Sequence, residues 1–289
     1  MDIILLTKDD IIKNLFKKKY KEILPKLNIE ICDLCEKNLL IDKIEKYKMI
    51  IADIDYETEL KTEIYKTFKG RKEFLFITDR EYESFISLLL EDKINNIYPK
   101  RLIIEDYRTS GLLITNIYKG KIFGIKNYIK TPVYFETIPI NYSTEIKKIS
   151  LKTEFLFSNL PRDKLLQLKL AFYEITSNVF YHSNAIKKGT QAYIEEPIFI
   201  TFAEDTEKII FSVEDRKGTL DKSTVLYWLE KRINKDPDMP AEHGRGFLLM
   251  KNIVDNLIIN IESKKRTEFI AIFYKYNYLG EKSLLIHQK

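Results

Sequence analysis

Glu174 and Asn178 stand four residues apart in the run AFYEITSNVFYH. In a helix that spacing puts both side chains on one face. A carboxylate beside a carboxamide offers a general base together with a neutral oxygen ligand for Mg²⁺. In FSVEDRKGTLD, Asp215 ends an apolar run and Gly218 follows in a turn. An acceptor-only carboxylate can take a hydrogen bond from an amino group such as that of adenine, and a glycine leaves room for a ligand beside the backbone. Gly244, Arg245 and Gly246 open the run GFLLMKNIVDNL; N–H groups at a helix start can hold phosphate oxygens. Each feature also has a plainer explanation. The first fits a solvated helix face, the second an ordinary turn, and the third a glycine that starts a helix for local reasons.

Two differently ordered halves must position these residues. In the first, Ile3–Leu6, Ile29–Cys32, Met49–Ala52 and Phe74–Ile77 are apolar runs of strand length, with a shorter one at Asn96–Tyr98. Stretches with apolar residues at helical spacing separate them, the last being EYESFISLLLEDK over 81–93. Apolar strands alternating with amphipathic helices predict an α/β domain, a parallel sheet covered on both faces. Ligands in such sheets sit at the carboxyl ends of the strands. Residues 106–130 read as a connector holding a helix through SGLLITNIYK, and Thr131-Pro132 closes it.

The second half, 131–289, begins with a strand through VYFETIPI and two helices. The longer helix has Pro161 in its first turn and Asn159 as N-cap, with Leu165, Leu168, Phe172, Ile175 and Val179 as an apolar stripe opposite Glu174. A hairpin of Ile198–Ala203 and Ile209–Val213 follows, then a helix through TVLYWLEKRI, a proline-containing loop, the helix GFLLMKNIVDNL and two closing strands. Strands clustered beside helices without strict alternation predict a two-layer α+β sandwich.

The β-α repeat over residues 1–105 resembles the receiver domain of response regulators, a flavodoxin-like fold. The resemblance places Asp53 as the phosphoacceptor ending the third strand in MIIADID, and Thr78 as the switch hydroxyl in FLFITD. Two positions depart from the receiver pattern. Thr7-Lys8 stands where an Mg²⁺-holding acid pair belongs, with Asp9 and Asp10 two places late, and Pro99-Lys100 reverses the usual order. A phosphoacceptor without that acid pair lacks the charge neutralisation that phosphoryl transfer needs. The expectation is a degenerate receiver-like module used for contact or dimerisation, with Lys8 as a permanent partner of Asp53.

Over about 131–277, the three features in this order resemble the nucleotide-binding motifs of the gyrase, histidine-kinase and MutL ATPase superfamily, nearest the anti-sigma-factor serine kinases. The resemblance implies ATP and Mg²⁺ as cofactors, with Asn178 as metal ligand and Glu174 as the base that activates a hydroxyl or water. It implies that Asp215 binds the adenine amino group, that Gly218 lets the base approach, and that Gly244, Arg245 and Gly246 contact phosphate. His182 completes the helix motif, and Thr267 is a weaker match to an adenine-side hydroxyl. The family's Asp-x-Gly-x-Gly reads Asp215-Arg216-Lys217-Gly218-Thr219 here, with one glycine missing and the other displaced.

The 289 residues carry 48 Lys plus Arg against 43 Asp plus Glu, a net charge of only +5 with the signs interspersed. That leaves no footprint for nucleic acid and no polybasic tail for a membrane surface. A hydrophobic fraction of 45% excludes a disordered chain. No apolar stretch reaches the roughly 20 residues of a membrane span, and the start, MDIILLTKDD, has no secretory pattern. Cys32 and Cys35 form a single CxxC, which cannot by itself complete a structural zinc shell; they read as ordinary thiols. The expected protein is a cytoplasmic signalling regulator of about two domains, with a homodimer as one expected state. It either phosphorylates a Ser or Thr of a small regulatory partner (anti-sigma antagonist-like, or a sigma factor) or regulates such a partner by sequestering it.

Overall fold

The computed structural model describes residues 2–33, 37–56, 58–80, 96–129, 131–183, 185–188, 191–233, 245–276 and 282–288. The chain divides into two compact units, Met1–Ile122 and Phe123–Lys289, so the boundary falls inside the stretch read as a connector.

The first unit holds β1 (Ile3–Leu6), β2 (Ile29–Cys32), β3 (Met49–Asp53), β4 (Glu73–Thr78) and β5 (Ile97–Pro99). They form one five-stranded sheet in the order β2-β1-β3-β4-β5, with every pairing parallel. This is the flavodoxin-like order of doubly wound α/β sheets. All residues of β1 and β3 are buried, which is why these strands read as unbroken apolar runs.

Around the sheet lie α1 (Asp10–Leu15), α2 (Lys21–Ile23), α3 (Lys37–Ile44), α4 (Thr58–Phe68), α5 (Lys100–Glu105) and α6 (Tyr107–Lys119). Asp9 caps α1 by accepting from the N–H groups of Ile11 and Ile12. A π-helical turn, Phe16–Tyr20, joins α1 to α2. The connector helix, α6, is part of this unit. Asp106 caps it, Gly120 ends it with φ +61°, and the Tyr118 hydroxyl donates to Asp2 Oδ1 at 2.5 Å. The helix expected over 81–93 lies outside the described residues.

The second unit holds β6 (Tyr134–Tyr142), α7 (Ser143–Leu156), α8 (Arg162–His182), β7 (Ile186–Lys188), β8 (Gln191–Glu204), β9 (Lys208–Asp215), α9 (Lys222–Ile233), α10 (Arg245–Ile253), β10 (Asn256–Glu262), β11 (Arg266–Tyr274) and β12 (Ser283–Gln288). Its sheet runs β12-β10-β11-β9-β8-β6, with β7 on β8. The β10–β12 pair is parallel and the others are antiparallel. A mixed sheet with helices is compatible with the expected α+β class.

Phe172 of α8 packs on Phe202 and Phe211, with ring centroids 5.6 and 5.7 Å away. Leu168, Phe172, Ile175 and Val179 are buried as the stripe requires, and Leu165 is half-buried. Three details differ from the sequence reading. Pro161, not Asn159, holds the N-cap position of α8. The helix begun at Arg245 stops at Ile253, because Asp255 is fully buried and serves other partners. It accepts from the Tyr274 N–H at 2.8 Å and pairs with Lys164 at 3.0 Å. The third is that two strands, β7 and β12, were not foreseen.

Candidate functional site

In the first unit, the carboxyl ends of β1, β3, β4 and β5 surround Asp53, which is fully buried. The Thr7 hydroxyl donates to Asp53 Oδ2 at 2.7 Å, and the Asp55 N–H donates to Oδ1 at 3.1 Å. Lys100, only 2% exposed, sets its ammonium 3.0 Å from Asp53 Oδ1 and 2.6 Å from Asp55 Oδ2. Asp79 and Asp9 stand further off, at 3.6 and 3.9 Å. Thr78 donates to Asp55.

Burial opposes the Lys100 charge, but hydrogen bonds and charges from Asp55 and Asp53 outweigh it and hold the ammonium well above its ordinary value. Burial likewise pushes Asp55 up, yet Lys100, Thr78 and the Asp79 N–H together hold it below the usual carboxylate range. Lys100 therefore takes the place expected for Lys8. The reversed Pro99-Lys100 order does not remove the lysine, because Pro99 ends β5 and Lys100 starts α5 while reaching back to the acids. Asp55 was missed; its signal was the second acid of MIIADID, two places after Asp53. Asp10 is exposed and pairs with Lys13. Among the described residues, no three His, Cys, Asp or Glu side chains are grouped to hold a metal ion.

In the second unit, Glu174 and Asn178 lie on one face of α8, both half-buried. Gly246, in the first turn of α10, meets them. A Cβ at 246 would stand 2.8 Å from Asn178 Nδ2 and 3.3 Å from Glu174 Oε2, so any side chain here would have to push the ends of both aside. Arg245 opens α10; Gly244 lies outside the described residues, as do His243 and Cys35.

Asp215 ends β9, buried. Its Oδ1 accepts from the N–H groups of Lys217 and Gly218, each at 2.8 Å. Thr267 is its register partner on β11. Burial pushes the Asp215 carboxyl up, against the N–H groups of Gly218 and Lys217, the Thr267 hydroxyl and the Lys217 charge. The Thr267 hydroxyl is buried and has no hydrogen bond of normal geometry among the described residues.

The turn after Asp215 is tied to the end of α8. Lys217 Nζ donates to the Ser183 carbonyl at 3.2 Å, and Thr219 Oγ1 to that of the exposed His182 at 3.4 Å. Gly218 has φ +58°, and a Cβ there would stand 2.5 Å from the Lys265 nitrogen. Its carbonyl accepts from the Lys264 N–H at 3.1 Å. The need for glycine at 218 thus comes from the β10–β11 turn.

No protein-family model matches the chain, and no curated protein matches it. Among solved structures it is similar to the RcsB response regulator of Salmonella typhimurium, at 17% identity and a TM-score of 0.31, over 53% of this chain and 77% of that one. A likeness that distant adds nothing to the strand order. No described helix is long and apolar enough to cross a membrane.

Proposed function

We propose that the chain is a cytoplasmic signalling regulator whose second unit binds ATP with Mg²⁺ and passes the γ-phosphoryl to a Ser or Thr of a small regulatory protein. The observation that supports this most is the meeting of Glu174 and Asn178 with Gly246 at the start of a helix. Asp215 and Thr267 fit the base end of such a nucleotide. Asp215 Oδ1 is committed to two backbone N–H groups, which leaves Oδ2 to accept from an exocyclic amino group. The buried Thr267 hydroxyl beside it, which acts on the same carboxyl, suits a ring nitrogen.

Bound ATP would supply the transferable phosphoryl and the phosphate oxygens that fill out the Mg²⁺ shell. Mg²⁺ in such sites takes few protein ligands, so a single carboxamide oxygen from Asn178 is sufficient from the chain. Glu174 stands beside it to take the proton of the attacking hydroxyl. The start of α10, with Gly246 close to both side chains, suits phosphate oxygens through its N–H groups. In the first unit the Lys100 ammonium already pairs with both Asp53 and Asp55, which suits a contact module more than a phosphate-driven switch.

A second reading, a module that sequesters its partner without turnover, is favoured by Gly218, whose backbone is engaged by the β10–β11 turn. Transfer of labelled γ-phosphate to candidate partners, read with Glu174→Gln alongside, separates the two. The kinase reading expects transfer by the wild type, with loss of transfer and unchanged ATP affinity in the variant. A wild type that holds a partner tightly and transfers nothing overturns it in favour of the sequestering module.

A further inference from the structure

Residues 123–129 open the second unit, just after α6 has ended at Lys119. They lie as a strap across its sheet. At one end the Arg266 guanidinium of β11 stacks over the Phe123 ring at 3.8 Å, and toward β6 the Lys126 ammonium sits 4.8 Å from the Phe135 ring. Between these contacts Ile125, Tyr128 and Ile129 are buried around the 3₁₀ turn Ile125–Asn127. The strap covers the sheet face turned away from α8. Phe211, under α8, pairs with Ala271, whereas Glu268 is an odd number of places along β11 and so points to the other side.

A buried carboxyl helps to fasten this strap. The Gly124 N–H donates to Glu268 Oε2 at 2.8 Å. Around Glu268 stand Glu214 and Ser212 from β9, Asn260 from β10 and the Tyr128 phenol from the strap itself. Glu214 is in turn drawn down by Arg266 and Arg216 and pushed up by Asp215 and by burial. With its proton, Glu268 is a neutral group among polar partners. Without it, a charge is enclosed beside a second carboxyl, and burial disfavours that state. Lifting the strap admits water and relieves the charge. Gly124 needs only an acceptor, which an amide would supply at every pH; a carboxyl makes the attachment depend on the proton.

We propose that Glu268 and residues 123–129 form a pH-sensitive latch, fastened while the carboxyl holds its proton and loosened when the proton leaves, which frees the segment that follows α6. With the strap down the carboxyl is held up at about 7, and with water admitted it moves toward the ordinary 4.5. The fastening is therefore complete below about 4.5 and fades as pH rises through about 7. A full return to the ordinary value raises the lifted population by up to about 70-fold between about pH 5 and about pH 8.

Hydrogen exchange of the full chain, read by mass spectrometry over that range and corrected for the intrinsic rate at each pH, tests the latch. Protection of the strap is expected to fall by roughly tens of fold, while β8 and β9 stay better protected than the strap throughout. Glu268→Gln keeps an acceptor for Gly124 and cannot ionise, so its strap should hold constant protection. Glu214→Gln removes the neighbouring charge and should make the fall smaller, which tests the latch even where the first variant folds poorly. Strap protection that does not change with pH overturns the proposal, as does an undiminished fall in the two variants. A strap that exchanges no faster than β8 and β9 opens only when the whole unit unfolds, and that result overturns it as well.

Discussion

Replacing Glu268 by Gln should change how stability depends on pH, because this carboxyl sits inside the second unit and its shift is set by burial, hydrogen bonds and the Glu214 charge among the described residues. Glu268 is 2% exposed on β11. Its Oε2 accepts from the Gly124 N–H at 2.8 Å and from Asn260 Nδ2 at 3.5 Å, and its register neighbours are Glu214 on β9 and Asn260 on β10. Burial pushes it up to about 7 from an ordinary 4.5; Gly124, Ser212 and Asn260 oppose the rise, and the Glu214 charge adds to it.

The folded value lies above the unfolded one, so the folded state binds the proton more tightly. The stability that results is complete below about 4.5 and is lost as pH rises through about 7. A shift of about 2.5 units at ~1.4 kcal/mol each amounts to about 3 kcal/mol. Gln keeps the shape and an acceptor for Gly124 but cannot ionise. Urea unfolding at about pH 5 and about pH 8 measures the difference, with the single tryptophan, Trp228, reporting on the second unit. Between those pH values the wild type should lose about 2.5 kcal/mol more than Glu268→Gln, because a little of the loss is already present at about pH 5. Parallel profiles for the two proteins would refute the assignment.

Removing the Lys100 charge with Lys100→Met takes away the cation 3.0 Å from the fully buried Asp53, which keeps only the Thr7 hydroxyl and the Asp55 N–H, while Asp55 keeps Thr78 and Arg80. The first unit should lose about 3 kcal/mol in urea unfolding, and adding Asp53→Asn should recover part of it. Acetyl phosphate with Mg²⁺ should add no phosphate-sized mass to the intact protein, because the Lys100 ammonium sits between the carboxylates that would have to receive a metal. A mass gain that disappears in Asp53→Ala would contradict this.

The parallel sheet was legible because a strand buried on both faces needs apolar residues throughout, as in IILL and MIIA. β12 obeys the same rule, since SLLIHQ is buried along nearly its whole length. It was missed because it joins the sheet parallel to β10, past β11, and so continues no hairpin pattern in the sequence. Lys100 was misjudged for a different reason. A motif compares positions along the chain, whereas the pocket is built by a side chain reaching back from the start of a helix.

Nothing in EFIAIFYKY marks Glu268 as buried; the register with Glu214 and the bond to Gly124 show it inside. The spacing of Glu174 and Asn178 did contain their common face. That Gly246 would meet them depended on a close approach of α10 to α8, and nothing local to the RGF tripeptide encodes that approach.

Calorimetric titration of the full chain with ATP and Mg²⁺ tests the central claim most directly, with Asp215→Asn run beside the wild type. Saturable binding to the wild type is expected. The variant should be weaker by about 1.5–3 kcal/mol, since the amide replaces an ionised acceptor at the base and turns a donor toward the amino group. No heat of binding in the wild type, or equal affinity in the two proteins, would contradict the account.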